Sequence, residues 1–379
     1  MTSQADHKSA PISHRARTPQ SKRASARHPT VLIILALTLI AVGPVTASAG
    51  ISSWFWSDGS KDDTDADTGK AQSNPGQSNP SKSGSSTNAP SATGVGEDAA
   101  YRAFDEGKYL TALELAQKGA EKGHPASHTL IGRIYAEGHG VSKDEKVAAQ
   151  WFKRGAELGD VNAMFAIGLM FAQGRGVEKN MDTAASLFES AAKTGHPQAN
   201  YNLGLLFLNG TGKPKNVHRA SRHIAYAAEK GIAAAQYDLA GMIEAGAGFD
   251  SDAYEQARWL SKAADQGMAV AQYEYAVLLL KGYGIRTDEP KAIPYLKSAA
   301  AKGIAGAQNR LAYIYEEGIG VNKSPVQMAK WRFLAKQGGI KDMFMDNKIA
   351  KLPAETRAEA ERAATEFRDA ALISPLSVQ

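Results

Sequence analysis

The sequence predicts an all-α protein, a right-handed α-solenoid built from 36-residue helix-turn-helix repeats. Glycines recur at one fixed spacing, helix-capping residues recur at the same spacing, and the apolar residues between them follow the period of a helix. The longest glycine column has no slip and comprises Gly123, Gly159, Gly195, Gly231, Gly267, Gly303 and Gly339. Independent domains have no reason to keep one period, so the chain is a tandem repeat.

Each repeat contains a Gly-x-Gly turn, formed in the first repeat by Gly138 and Gly140. The first glycine of the turn can adopt the positive φ that ends a helix. A residue whose side-chain oxygen can cap the next helix follows each turn. These predicted N-caps are Asp144, Asn180, Asn216, Asp252, Asp288 and Ser324. Each repeat is therefore helix A (about Ala126 to Glu137 in the first), a turn, and helix B.

Apolar residues define one buried face on each helix. In the first helix A, Ile131, Ile134 and Tyr135 have the i, i+3, i+4 spacing of a helical stripe. Helix B carries a large ring at Trp151, and this column contains Trp259 and Trp331 further along the chain. One helix pair cannot bury both stripes, so neighbouring repeats must stack. Pro294 lies inside a predicted helix B, which it should kink.

The run AQYDLA from Ala235, the Gly-x-Gly turn and the run ARWLSKAADQG from Ala257 resemble the Sel-1-like repeat, a relative of the tetratricopeptide repeat. The resemblance covers residues 99–339 as a half repeat followed by six full repeats. It implies an adaptor that holds partner proteins on a curved surface, in many bacterial members within the cell envelope. Some secreted members pin each repeat with a cysteine pair. This chain has no cysteine, so the functions of that subgroup are not transferred.

Residues 1–30 form a basic leader that accounts for the whole net charge. They contain six basic residues and one acid, and the full chain is also +5, so the remainder is formally neutral. The sequence pI near 9.0 therefore does not indicate a nucleic-acid-binding surface on the repeats. Positive charge before an apolar segment keeps that end in the cytoplasm.

Residues 31–56 are predicted to be a signal peptide or a single transmembrane anchor. The uncharged run from Val31 to Val45 is short for a span and is followed by a small-residue cleavage site ending at Ala49. The aromatic residues from Trp54 to Trp56 favour a retained anchor instead. Both alternatives place the repeats outside the cytoplasm, in the periplasm or anchored to the inner membrane.

The segments that flank the repeats have different compositions. Residues 57–98 are rich in Ser, Asn, Pro, Gly and Asp and are predicted to be a disordered linker. Residues 340–379 are predicted to form a capping helix and a tail, with the helix running from Pro353 to about Leu372. A weak apolar stripe that includes Phe367 should cover the last helix pair.

The motifs for chemistry are absent from the sequence. It contains no nucleophile motif, paired-carboxylate motif, zinc-binding helix or phosphate loop. His124 and His196 occupy equivalent positions two repeats apart, which is too far to share one metal ion. We therefore predict no catalytic, cofactor or metal site, no cofactor, no small-molecule substrate and no enzymatic activity.

One column of helix A is the candidate recognition row, because its chemistry varies while the flanking positions stay apolar. A solvated helix face is the alternative interpretation. The column comprises Leu130, Ala166, Asn202, Asp238, Glu274 and Arg310. The neighbouring tyrosines are interpreted as packing residues whose hydroxyls reach the same groove. The predicted partner-binding groove is Asn202, Asp238, Glu274, Arg310, Tyr201, Tyr237 and Tyr273. The three charged members are predicted to be dispensable for the core.

These expectations together describe a non-enzymatic protein-interaction scaffold on the extracytoplasmic side of the cell envelope. Its partner is a protein, with additional membrane contact if the apolar segment is not cleaved. The first alternative is a periplasmic regulator that binds a membrane sensor kinase, which the resemblance also allows. The second alternative is a hydrolase that acts on envelope substrates.

Overall fold

The computed structural model describes residues 94–373. The predicted basic leader (1–30), the signal peptide or anchor (31–56) and the linker up to residue 93 lie outside the described residues, as do residues 374–379. The first helix begins at Gly94, within the range assigned to the linker. The predicted linker ends where apolar residues begin in the sequence. The first turn of a helix needs no apolar residue, so the observed helix begins before the predicted end of the linker.

Residues 94–373 contain 16 helices and no strand. Within that range, none of the helices is both long and apolar enough to cross a membrane. The first fourteen form consecutive pairs. The first members of the pairs, the A helices, are α1 (Gly94–Asp105), α3 (Pro125–Glu137), α5 (Val161–Gln173), α7 (Pro197–Asn209), α9 (Ala233–Glu244), α11 (Ala269–Lys281) and α13 (Ala305–Glu317). The second members, the B helices, are α2 (Tyr109–Glu121), α4 (Glu145–Glu157), α6 (Met181–Lys193), α8 (Val217–Glu229), α10 (Ala253–Asp265), α12 (Glu289–Ala301) and α14 (Pro325–Gln337). Two further helices follow, α15 (Met343–Ala350) and α16 (Ala354–Ile373).

The caps predicted from the glycine and polar columns are confirmed, except that the C-cap of α9 is Ala245 and not Gly246. Gly138 ends α3 with a φ of 74°, and its N–H donates to the carbonyl of Ile134. Oδ1 of Asp144 accepts from the N–H groups of Lys146 and Val147 at 2.9 and 3.0 Å, which satisfies two free donors at the start of α4. The other five predicted N-caps likewise accept from a backbone N–H. The repeat boundaries are therefore set by local chemistry.

The second glycine of the turn is required by a close approach between repeats. A Cβ atom at Gly176 would lie 2.0 Å from the backbone oxygen of Glu145, and its φ is 65°. The turn of one repeat therefore rests directly on the first turn of the preceding B helix. Only glycine fits this position.

The core is a continuous stack in which each helix contacts its neighbours in sequence from α1 to α14. Ile131 and Ile134 of α3 are fully buried, and Phe152 of α4 packs so closely on Gly132 that a Cβ there would lie 2.8 Å from the ring. This arrangement of helix pairs is an α-solenoid. Because contacts run mainly between neighbours, stability is distributed along the array.

The rings of the predicted column on the B helices are buried to different extents, and Trp151, His223 and Tyr295 remain partly accessible. Trp259 and Trp331 are buried at equivalent positions. Helix α12 continues through Pro294 as a single helix, with the proline on its exposed side.

Seven helix pairs are present where the sequence predicted a half repeat and six pairs. Helix α1 supplies the missing first member and buries Ala100, Ala103 and Phe104 against α2 and α3. The glycine columns could not reveal it, because Gly107 alone marks the short connection between α1 and α2.

The C-terminal end is closed by α15 and α16. Helix α16 packs on α14, where Phe367 and Trp331 meet edge to face at 5.1 Å, while α15 was not predicted. Arg332 stands in the column that holds Phe152 in the first repeat, and it is fully buried. Its Nε donates to Asp346 of α15 at 2.8 Å, and Nη1 donates to the carbonyl of Ile340. A charged residue thus ends the apolar column because a short polar helix, rather than another repeat, packs there.

Candidate functional site

Each A helix packs against two B helices, and its remaining side is called the A face, whose central position is buried in α3, α5 and α7 and half-buried in α9, α11 and α13. In α5, a Cβ at Gly155 of α4 would lie 2.9 Å from Ala163, and one at Gly168 would lie 2.8 Å from Phe188 of α6. Since successive residues of a helix are about 100° apart, Leu169 points away from both B helices. The equivalent residues of the other A helices from α3 to α13 are Arg133, Leu205, Gly241, Val277 and Tyr313.

Two tyrosine hydroxyls join neighbouring A helices beside the A face. Oη of Tyr201 in α7 donates to Oδ2 of Asp238 in α9 at 2.8 Å. Oη of Tyr237 in α9 donates to Oε1 of Glu274 in α11, also at 2.8 Å. Donor and acceptor are 37 residues apart in both pairs, so each bond connects one repeat to the next. These four residues are called the tyrosine–carboxylate seam.

The predicted recognition row is not exposed, and this expectation is corrected. Leu130 and Asn202 are buried, with 0% and 2% of their surfaces accessible, while Asp238, Glu274 and Arg310 are half-buried. Each position lies about 60° around its helix from the centre of the A face, on the side that packs against the preceding A helix. Asp238 and Glu274 are hydrogen-bonded to tyrosines of the preceding repeat and are not exposed surface residues.

Burial controls the ionisation of the seam. It raises the pKa of Asp238 from its ordinary 3.8 to about 6, although the hydrogen bond from Tyr201 acts in the opposite direction. Burial also raises the pKa of Glu274, opposed by the bond from Tyr237 and reinforced by the charge of Glu244. Burial and the facing carboxylates raise the pKa of both tyrosines, which keeps their hydroxyls as donors. Among the described residues, no basic side chain contributes to the pKa of either carboxyl group.

The seam stops at both ends because one partner changes. The position equivalent to Tyr201 one repeat earlier is Phe165, which has no hydroxyl to donate. Its counterpart Asn202 donates through Nδ2 to the carbonyl of Gln198 at 2.8 Å, but its buried Oδ1 has no donor within residues 94–373. In the other direction, the residue that faces the Tyr273 position is Arg310 instead of an acid.

An open space above Gly241, called the notch, interrupts the column of side chains on the A face. The equivalent residue carries a side chain in α3, α5, α7, α11 and α13. No neighbouring heavy atom would lie within 4 Å of a Cβ at Gly241, so the space above α9 is open. Tyr237 and Asp238 lie one turn before the notch, and Glu244 lies almost one turn after it. Sequence reasoning missed the notch, although a helical glycine in a column of larger side chains was a visible signal.

The repeat geometry has a direct counterpart among protein families. The Sel1 repeat model matches residues 106–124, 125–160, 161–196, 197–232, 233–268, 269–304 and 305–331. The chain belongs to the Sel1 repeat family. Sel1 repeats generally mediate protein–protein interactions, and proteins built from them are typically non-catalytic scaffolds. The resemblance drawn from the glycine and alanine columns is thereby confirmed.

Solved Sel1 repeat structures share this fold. The chain is similar to a Sel1 repeat protein from Oxalobacter formigenes, with 30% identity and a TM-score of 0.55 over 65% of this chain and 99% of that one. It is also similar to c5321, a protective antigen of uropathogenic Escherichia coli strains that displays an SLR fold, with 24% identity and a TM-score of 0.50. That match covers 73% of this chain and 68% of the antigen, and it supports the fold alone. None of the curated proteins matches the sequence significantly.

Three histidines of the Sel1 repeats have structural contacts. Nδ1 of His196 accepts from the N–H of Ala199 at 3.1 Å and caps α7, and burial lowers its pKa to about 4, so it is neutral. A ring nitrogen of His128 contacts the carbonyl of His124 at 2.9 Å. His223 stacks on Phe207. Across residues 94–373, no group of three or more histidine and acidic residues is arranged to hold a metal ion.

Proposed function

We propose that this protein is a non-enzymatic adaptor of the cell envelope whose A face binds another protein outside the cytoplasm. The observation that carries this proposal is the contrast between the two sides of the A helices. The side that packs against B helices repeats small residues, such as Ala199, Ala235 and Ala271, all fully buried. The A face instead changes from Gly241 to Val277 in successive repeats and is half-buried there. Repeat scaffolds use extended surfaces with variable side chains for recognition.

The extracytoplasmic location rests on the N-terminal sequence. A basic leader of 30 residues precedes an uncharged apolar run, and this charge asymmetry favours translocation of the residues downstream of the run. A reporter that is active only outside the cytoplasm, fused after Gln379, should be active. An intact but silent fusion would refute the location. Mass spectrometry of the mature N-terminus would then distinguish cleavage after Ala49 from a retained anchor.

The binding surface can be tested by photo-crosslinking in the envelope. A photoreactive phenylalanine analogue at Val277 on the A face should capture a protein in stoichiometric yield. The same analogue at Tyr254, which is 60% exposed on α10, is the matched control and should capture none. Capture from Tyr254 alone would place recognition on another surface. Capture of the extracytoplasmic domain of a sensor kinase, dependent on a signal, would identify a regulator in place of a constitutive adaptor.

A further inference from the structure

Helix α15 carries a pair of exposed apolar side chains that its packing does not explain. Five large apolar side chains are exposed within residues 94–373, and Met343 and Phe344 are the only two of them that are consecutive. Met343 is 78% exposed and Phe344 is 57% exposed. Met345 and Ile349 are buried and attach α15 to the array. The attachment of α15 therefore does not require two further apolar residues in solvent.

The outward side of α15 is called the α15 face. Its residues are three or four positions apart along the helix, as members of one helical face are. Nζ of Lys348 lies 5.0 Å from the centre of the Phe344 ring, and this ring stacks on Tyr313 of α13 with 6.3 Å between the ring centres. The ring is thus supported from the array while more than half of it remains accessible. The α15 face comprises Met343, Phe344, Asn347, Lys348 and Lys351.

The two acids of this segment are engaged by the protein itself. Oδ2 of Asp342 accepts from Asn309 and from Tyr313, at 3.0 and 2.9 Å. Oδ1 of Asp346 accepts from the buried Arg332 at 2.8 Å. Neither acid therefore belongs to the α15 face.

The charges left without a partner beside the α15 face are positive. Lys348 forms an ion pair with Glu316 of α13, and the charge of Glu317 also acts on it. Lys341 and Lys351 are exposed at the two ends of α15. Neither of these lysines forms an ion pair within the part of the chain that the structure describes. The α15 face therefore combines exposed apolar side chains with two unpaired cations.

We propose that the α15 face docks on the surface of a bilayer that contains anionic phospholipids. Met343 and Phe344 enter the boundary between headgroups and acyl chains, and Lys341 and Lys351 lie beside the lipid phosphates. Lysine is depleted at protein–protein interfaces, so the composition of this face favours lipid over a protein partner. The contact is peripheral and goes beyond the proposed adaptor function, because its partner is lipid.

The test is fluorescence from a single label, which the chain permits because it contains no cysteine. Asn347→Cys in the full chain, labelled with an environment-sensitive dye, places the dye on the α15 face and keeps both apolar residues. Gln150→Cys, exposed on α4, is the matched control and also reports any membrane contact made through the N-terminal apolar segment. Vesicles of phosphatidylcholine are compared with vesicles that contain about one third phosphatidylglycerol.

With the anionic vesicles, the dye at residue 347 should brighten at least about twofold and shift to shorter wavelength, while the dye at residue 150 should not. Met343→Ser combined with Phe344→Ser should abolish this response. Lys341→Gln combined with Lys351→Gln should raise the lipid concentration for half of the response at least about threefold. Equal thermal midpoints for all labelled proteins establish that each is folded.

Equal responses at residues 347 and 150, equal responses to both kinds of vesicle, or an undiminished response in the serine variant would overturn the inference. Silence at residue 347 would also overturn it, and photo-crosslinking of a protein from that position would then assign the face to a protein partner. The adaptor proposal is tested separately by crosslinking from Val277, so the two failures are distinguishable.

Discussion

Replacing Asp238 with asparagine should stabilise the protein at pH 8 and have little effect at pH 4. The folded-state pKa of this carboxyl group is raised, so folding favours the protonated form. The stability linked to this group is fully present below its unfolded pKa and is lost as the pH rises through about 6. Asparagine keeps the shape and the acceptor for Tyr201 but carries no charge to desolvate.

The magnitude follows from the two pKa values. A rise from 3.8 to about 6 corresponds to a penalty of about 3 kcal/mol at pH 8, since each unit is worth about 1.4 kcal/mol. The hydrogen bond from Tyr201 to a neutral amide is weaker than that to a carboxylate by about 1 kcal/mol. Asp238→Asn should therefore raise the free energy of unfolding by about 1 to 2 kcal/mol at pH 8 and by less than about 1 kcal/mol at pH 4.

Urea denaturation followed by circular dichroism between pH 4 and pH 8 measures this difference. Asp342→Asn is a control of opposite sign. Burial raises the pKa of Asp342, but hydrogen bonds from Asn309, the N–H of Met345 and Tyr313 outweigh this effect and lower it. The asparagine variant at this site should lose stability at pH 8 and regain wild-type stability in acid. If Asp238→Asn is destabilising at pH 8, or equally stabilising at both pH values, the carboxylate is not desolvated in the seam.

Phe165→Tyr should extend the seam by donating to the orphaned Oδ1 of Asn202 and add about 1 kcal/mol of stability in urea titrations, and a loss of stability would show that the ring has no room for a hydroxyl. Arg332→Leu should release α15 by removing the bond to Asp346, which hydrogen exchange would detect as lost protection in α15 while α5 to α9 remain protected. Gly176→Ala should destabilise the array by more than about 2 kcal/mol, since its Cβ would strike the preceding B helix at a positive φ, and near-wild-type stability would refute that close approach.

The regular part of the fold was accessible from the sequence because its determinants are local. The helix that ends at Gly138 and the helix that begins at Asp144 are specified by backbone conformation and by a cap within a few residues. The non-repetitive ends were less accessible. Helix α1 lacks the glycine columns, and α15 is held by the buried Arg332, whose partner Asp346 is recognisable only once the chain has folded.

The environment of the candidate site residues could not be predicted from local sequence patterns. A freely varying column looked like a solvated recognition row, but Asp238 and Glu274 pair with tyrosines of the preceding repeat. The notch could not be predicted for a different reason. The glycine inside the helix is visible in the sequence, but the open space above Gly241 is visible only in the structure.

The sequence by itself determined the period, the helix ends, the small residues at the packing faces and therefore the family and the all-α solenoid. Each of these depends on interactions between residues close in the chain, repeated often enough to be unambiguous. The tertiary structure alone decided which residues of each A helix are buried, which acids lose their hydration and where the space above a helical glycine is open. These properties depend on the angle at which one repeat meets the next, and that angle results from the packing of many side chains together.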